Sequence, residues 1–267
     1  MNKKIVTSGL RLSPEVRKQQ ILDAATSYFA EAGFGVQTRE LSRRLGVSQP
    51  LLYRYFPSKQ DLINAVFEAV FMSQWKDEWI AELEDRTMPL RERLLRFYLQ
   101  YAGATYRPEW IRIYMYAGLA DMDLNRNYLG LVRKKLLVVM CREFRQEFVA
   151  SPETLPAISA REIELLWTLH GGMFYWAVRR NIFNIKSATP FETRTADAID
   201  LFLAGARTLY PQVVAQASVE PEAVASAEAA GFKAGARTGA KAGTDVAAGV
   251  PAKAPRTKSK GARGSVS

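Results

Sequence analysis

From Ser13 to about Pro211, apolar residues recur at intervals of three and four, with few strict alternations and no strand–helix–strand rhythm. A chain patterned in this way buries its apolar surface by packing helix on helix, so the expected fold class is all-α. Ser13-Pro14, Gly33, Gly46, Pro57-Ser58, Pro89, Pro108, Ser151-Pro152, Thr189-Pro190 and Pro211 cut the pattern into segments of ordinary length. That punctuation predicts roughly nine helices, the last two over about 159–183 and 190–209.

Composition removes several classes of function. The 267 residues are 48% hydrophobic and 11% aromatic, ample for a buried core. Cys141 is the single cysteine, so no internal disulfide can form, and no CxxC motif or Cys/His cluster offers a metal site. No metal and no cofactor are expected. His170 is the single histidine and GxSxG is absent, so the common nucleophile–base sets lack parts and an enzyme is not expected. After Lys3 and Lys4 the run IVTSGL is shorter than the about 7 apolar residues a secretion signal needs. LLVVMC at 136–141, between Lys135 and Arg142, falls far short of the roughly 18 of a membrane span. The expectation is a soluble, cytoplasmic, nucleoid-associated protein with no membrane partner.

Lys and Arg number 37 against 27 Asp and Glu, a formal net charge of +10. Residues 1–70 hold ten basic and six acidic side chains (+4), 71–210 nineteen and seventeen (+2), and 211–267 eight and four (+4). The excess sits at the two ends, which points first to nucleic acid. From about Pro211 the composition turns to Ala, Gly, Ser, Thr, Lys and Arg, with Phe232 the one aromatic. Such a segment buries too little to offset its ordering entropy, so residues 213–267 are expected to be a disordered basic tail, and 1–12 a flexible N-terminus. KAGARTGAKAG (233–243) and PAKAPRTKSKGARGS (251–265) fit a nucleic-acid-associating tail and a solubilising extension equally well.

The first seventy residues carry the sharpest pattern. Ser13 as N-cap, Pro14 and Glu15 start a helix that Gly33 stops, with Ile21, Ala24, Ala25, Tyr28 and Phe29 on one stripe. A short helix from about Thr38 to Leu45 follows, then Gly46, an inward Val47, and Ser48 capping QPLLYRYF: a helix-turn-helix unit. Leu52 and Phe56, one turn apart, should dock on the first helix, leaving Gln49, Pro50, Tyr53 and Arg54 outward. Gln pairs with adenine, Arg with guanine or phosphate, and a Tyr hydroxyl with phosphate. Ser58-Lys59-Gln60-Asp61 has capping-box spacing, which sets the Lys59 ammonium beside free helix amides, a phosphate site. For Arg43 and Arg44 a solvated helix face and phosphate contact are both open.

GFGVQTRELSRRLGVSQPLLYRYFPSKQDLINAV resembles the DNA-binding domain of the TetR (tetracycline repressor) family of transcriptional regulators. The resemblance covers about residues 14–70 and rests on the aromatic after Gly33, Leu41, Gly46-Val47-Ser48, Tyr53, Phe56, Lys59 and Leu62, with Ile21, Ala25 and Phe29 upstream. It implies base-edge roles for Arg39, Gln49 and Pro50, and phosphate contacts for Thr38, Tyr53 and Lys59. The proposed DNA-binding set is Thr38, Arg39, Gln49, Pro50, Leu51, Tyr53, Arg54, Tyr55 and Lys59. Leu51 stands where the family often has a small or polar residue, and suits a thymine methyl. Gln37 stands where the family usually caps with Thr, so the cap is expected to pass to Thr38. Ser42 stands where the family has Ala.

Residues 71–212 match the family by length and helical order, which implies a ligand-binding and dimerisation domain after the 13–70 head. RPEWIRIYMYAGLA (107–120) and LLWTLHGGMFYWAV (165–178) concentrate aromatics. Trp110, Tyr114, Trp167, His170 and Phe174 are candidates for an effector pocket, each with ordinary core packing as the alternative. His170 is also a candidate for titration near neutral pH. On the last two helices Gly171-Gly172 and Ala204-Gly205-Ala206 permit close helix approach, either across the dimer interface the family implies or within one subunit. The expected function is a sequence-specific regulator of transcription, a repressor that binds a pseudopalindromic operator on double-stranded DNA as a homodimer and is released by a small apolar or aromatic effector. The alternative is a nucleoid-associated protein that coats DNA nonspecifically through its tail.

Overall fold

A computed structural model describes residues 13–120, 122–150 and 155–217. The expected flexible N-terminus and nearly all of the expected tail lie outside the described residues. Among those described, all regular structure is helical. The head consists of α1 (Pro14–Ala32), α2 (Thr38–Leu45), α3 (Gln49–Tyr55) and α4 (Lys59–Phe67), the last running on through a π-helical turn, Glu68–Met72. The body follows with α5 (Glu78–Glu84), α6 (Leu90–Thr105), α7 (Pro108–Leu119) and α8 (Asp123–Val132). A second π-helical turn, Arg133–Leu137, leads into α9 (Val138–Phe148), and α10 (Ala160–Asn181) and α11 (Phe191–Ala217) close the fold.

The local signals act as their chemistry requires. Ser13 Oγ accepts the Val16 amide at 3.3 Å. Gly33 ends α1 at φ 71°, its amide bonded to the Phe29 carbonyl. Ser48 Oγ accepts the Leu51 amide at 3.3 Å, and the Ser58–Asp61 capping box is complete. Gln37 makes no cap with its side chain, but the role does not pass to Thr38, which is the first helical residue. Eleven α-helices form among the described residues, more than the punctuation predicts, because the chain also breaks without Gly or Pro between α7 and α8 and at 73–77. There Trp75 Nε1 donates to Asp77 Oδ1 at 3.2 Å and Lys135 Nζ holds the same oxygen at 2.8 Å.

The core is continuous from head to body. Ile21, Ala25, Tyr28 and Phe29 of α1 are buried with Leu41, Leu52, Phe56, Leu62 and Val66. No break stands at residue 70: the π turn carries Phe71 from Phe67 (ring centroids 4.5 Å apart) onto Trp110 (4.6 Å). α7 lies against α1. Arg112 Nε donates to the Ala30 carbonyl at 2.5 Å, and Tyr116 Oη donates to the Glu31 carbonyl at 3.2 Å. These carbonyls belong to the last turn of α1, where no intrahelical donor remains.

The buried arginines of the body, Arg93 and Arg145, are paired with glutamates. Glu143 joins Arg93 at 2.7 Å and Arg86 at 2.8 Å, and Glu162 joins Arg145 at 2.7 Å. Burial pushes the Glu162 carboxyl up, but its hydrogen bonds from Arg145 and the Ser159 backbone outweigh this and leave it below the usual carboxylate range. Tyr210 Oη lies 3.1 Å from Glu162 Oε2 and 3.2 Å from the Cys141 carbonyl.

The last helix differs from expectation. Pro211 does not end it: α11 runs to Ala217 with the proline inside, so residues 213–217 belong to the fold and not to a tail. Burial of Tyr210, Val213 and Val214 outweighs the one backbone hydrogen bond a proline forfeits. Val213→Ala with Val214→Ala should therefore lower stability in urea unfolding by about 3 kcal/mol, at roughly 0.8 kcal/mol per methylene equivalent lost. The exposed Gln212→Ala should change nothing; equal, negligible effects would return the segment to the tail.

Candidate nucleic-acid interface and effector region

Leu52 and Phe56 are buried beneath α3, as their spacing predicts. Above them Arg39, Pro50, Tyr53 and Arg54 are exposed, while Thr38, Gln49, Leu51 and Lys59 are half-buried. Thr38 Oγ1 and Tyr53 Oη lie 3.0 Å apart, a contact that joins the start of α2 to the face of α3. Tyr55 differs from the rest of the set: it is half-buried and packed against the core. Ser42 is buried with an unpartnered hydroxyl, a position suited to alanine.

Charge separates the arginines of α2 into two kinds. Arg43 meets Glu40 through Nε at 2.9 Å and Nη2 at 2.5 Å. Arg44 pairs with Glu31 at 2.5 Å and lies over the Tyr28 ring at 4.5 Å. Hydrogen bonding from Arg43 holds the Glu40 carboxyl below its usual range. Arg39, Arg54 and Lys59, like Arg17 and Lys18 of α1, make no ion pair among the described residues, so the helix-turn-helix keeps three unneutralised cations on its outward side. Lys59 opens α4, where the capping box occupies the Ser58 and Asp61 amides and leaves those of Lys59 and Gln60 available to an anion.

The five candidate effector residues fall into one aromatic assembly. Trp110 and Tyr114 stack with centroids 5.2 Å apart, and Phe174 meets Tyr114 at 5.1 Å. Trp167 meets His170 at 5.6 Å, and Tyr101 and Tyr106 connect the two groups: His170 to Tyr101 at 5.4 Å, Tyr101 to Tyr106 at 5.7 Å, Tyr106 to Trp110 at 6.4 Å. Trp110 and His170 are buried, whereas Tyr114, Trp167 and Phe174 keep part of their surface outside. Tyr98 Oη, Tyr106 Oη, Trp110 Nε1 and His170 Nδ1 are buried without a hydrogen-bond partner. Sequence reasoning missed the division of labour along α7: Trp110 and Tyr114 enter this assembly, while Arg112 and Tyr116 reach α1. Their i, i+4 spacings were legible, but which neighbour each pair met was not.

Between α10 and α11 runs an apolar groove of about 340 Å³, lined by residues that include Leu165, Gly172, Ala198, Leu201, Gly205 and Leu209. Leu201 is 78% exposed there. Among the described residues, no helix is long and apolar enough to cross a membrane, and no cluster of His, Cys, Asp and Glu could hold a metal ion.

Residues 21–66 match the family model described as "Bacterial regulatory proteins, tetR family". The chain is 31% identical over 91 residues to the class A tetracycline repressor protein of transposon 1721 from Escherichia coli, covering 31% of this chain and 42% of that protein. It is 27% identical over 157 residues to the HTH-type transcriptional regulator BetI of Rhizobium meliloti, covering 55% and 70%. The chain thus spans about two-fifths of the tetracycline repressors it matches. A TetR-like regulator from Rhodococcus sp. RHA1 shares the fold, with TM-score 0.55, 22% identity, and coverage of 73% of this chain and 100% of that one.

Burial corrects one expectation about the aromatic assembly. His170 does not titrate near neutral pH: its pKa is lowered from 6.5 to about 4 by desolvation. The unfolded chain then binds the proton more readily, so this residue's contribution to stability is complete above about pH 6.5 and is lost as the pH falls towards 4. Between pH 7 and pH 5 the loss should be about 2 kcal/mol. His170→Phe, close in volume, should flatten the urea-midpoint profile over that range by this amount; an unchanged profile would place a charged or hydrated imidazole in the core.

Proposed function

We propose that the chain, whose residues 21–66 match the model of the tetR family of bacterial regulatory proteins, is a member of that family and a sequence-specific DNA-binding regulator of transcription, a repressor that holds a pseudopalindromic operator as a homodimer and is released by a small effector. The observation that carries this reading is the outward side of the helix-turn-helix. Arg39, Arg54 and Lys59 are unpaired there while Arg43 and Arg44 are neutralised by their own neighbours. In this reading Arg39, Gln49 and Pro50 meet base edges, Leu51 a thymine methyl, and Thr38, Tyr53, Arg54 and Lys59 the backbone, with Tyr55 in a supporting position. Residues 13–70 read DNA, and the helices after them bind the effector and the second subunit.

The apolar groove between α10 and α11 supports the dimer. A leucine as exposed as Leu201, beside Gly172 and Gly205, suits close packing against the same two helices of a second copy. Two heads related by a two-fold axis require two half-sites in successive major grooves. The effector reading rests on α7, which inserts Trp110 and Tyr114 into the aromatic assembly and fastens Arg112 and Tyr116 to the end of α1. A ligand that binds better to one arrangement of this helix shifts the separation of the heads, and only that difference in affinity drives the shift.

Gln49→Ala should cost about 1–3 kcal/mol in operator binding and relax preference at one base pair, whereas Lys59→Ala should weaken all sequences alike and reduce the salt slope by about one. Identical behaviour of the two variants would refute the division of roles. The chain ended after residue 217 should keep its preference for a palindromic site over random DNA at physiological salt. Loss of binding on that truncation, with no sequence preference in the full chain, would make the protein a DNA-coating one instead.

A further inference from the structure

Where the end of α6, the second half of α10 and the first two turns of α11 meet, four buried polar atoms have no partner: Tyr106 Oη, Trp176 Nε1, Arg179 Nε and Thr195 Oγ1. Thr195 is wholly buried and Trp176 is 7% exposed. Phe191 holds three of these residues together, with its ring 4.3 Å from Trp176 and 6.5 Å from Tyr106, and with Thr195 one turn further along α11. Two guanidinium groups converge on the same region. Arg194 crosses from α11 to α10, where Nη2 donates to the Gly172 carbonyl at 2.7 Å and Nη1 lies 3.2 Å from Met173 Sδ. Arg179 stands two turns after Gly172 and leans back over the Tyr175 ring at 5.7 Å, in the direction helix side chains incline. Neither arginine has a carboxylate partner among the described residues. Burial and the charge of Arg179 both lower the pKa of Arg194.

Unpaired like charges beside unsatisfied buried donors are costly to hold, and elsewhere in the body every buried arginine has its glutamate. Indole and guanidinium groups only donate, and both hydroxyls can donate, so the complementary ligand is one that only accepts. We propose that Arg179 and Arg194, with Tyr106, Trp176 and Thr195, bind the carboxylate of an organic acid whose apolar or aromatic body lies along Phe191, Tyr106 and Phe174. A carboxylate supplies acceptor oxygens to both guanidinium groups and neutralises their repulsion. Tyr106 and Phe174, 6.5 Å apart, continue the apolar path to Trp110 on α7. The site thereby gives the effector of the proposed regulator a charge as well as an apolar body, and it rests on that reading.

The test uses the full chain and its own tryptophan fluorescence, titrated at constant ionic strength with phenylacetate and decanoate and with phenylacetamide and decanamide. The carboxylates should bind saturably and the amides at least about tenfold more weakly. Arg194→Gln and Arg179→Gln should each weaken the carboxylates by about tenfold and abolish the rise in melting temperature they cause, with the dimer mass unchanged. Equal binding of acid and amide overturns the proposal, as does absence of saturation by either carboxylate at millimolar concentration. Dissociation of the dimer by Arg194→Gln without carboxylate binding also overturns it, since the arginines then serve the partner subunit. Operator binding is measured separately: carboxylate binding without any operator preference sinks the regulator and keeps the site, and the reverse result sinks the site alone.

Discussion

The contact on which the rest of the structure depends is that of α7 with α1. α1 receives Leu41, Leu52, Phe56 and Leu62 from the head, and its C-terminal turn is closed by side chains of α7 rather than by its own backbone. Gly33 makes the approach possible: at φ 71° it turns the chain away, and a Cβ there would stand 3.0 Å from the Tyr116 ring. Arg112 and Tyr116 satisfy carbonyls that water would otherwise hold. A displacement of α7 therefore has to carry the end of α1 with it or leave those carbonyls unbonded. Head and body are coupled through hydrogen bonds at a helix terminus, and the continuous core through Phe67, Phe71 and Trp110 makes that coupling stiff.

The treatment of charge differs across the molecule. Within the body Arg93, Arg145, Glu143 and Glu162 are buried and matched, an arrangement that fixes helix register because removal of either partner strands the other. Arg43 and Arg44 are matched as well, though exposed, and exposed pairs of this kind contribute little to stability. Against this background two groups of unmatched cations stand out, Arg39, Arg54 and Lys59 on the outward side of the helix-turn-helix, and Arg179 with Arg194 where α10 meets α11. Both lie where the proposed function and the proposed ligand place a polyanion or an anion.

The short-range features were legible in the sequence. Ser13, Ser48 and the Ser58–Asp61 box are local chemistry, decided within four residues, and they sit where the spacing put them. So are the stops at Gly33 and Gly46, since both need positive φ. The burial of Leu52 and Phe56 followed from helical periodicity, and with it the outward side of α3. Expectations failed where local propensity met a tertiary force. Pro211 reads as a stop, yet two buried valines beyond it hold α11 helical to Ala217. Thr38 reads as a substitute cap, yet its hydroxyl meets Tyr53 fifteen residues away. His170 left titration near neutrality and core packing both open, and the rings of Tyr98, Tyr101 and Trp167 that enclose it decide for the core.

By itself, then, the sequence determined the all-α class, the helix-turn-helix and its outward face, because these depend on periodicity and capping over one or two turns. Tertiary structure alone decided which arginines are neutralised, which face of α7 meets α1, where α11 ends, and that Arg179 and Arg194 converge. Those depend on residues separated by tens of positions, and the pairing of charges and the desolvation of a ring are properties of neighbours that the order of the chain does not name.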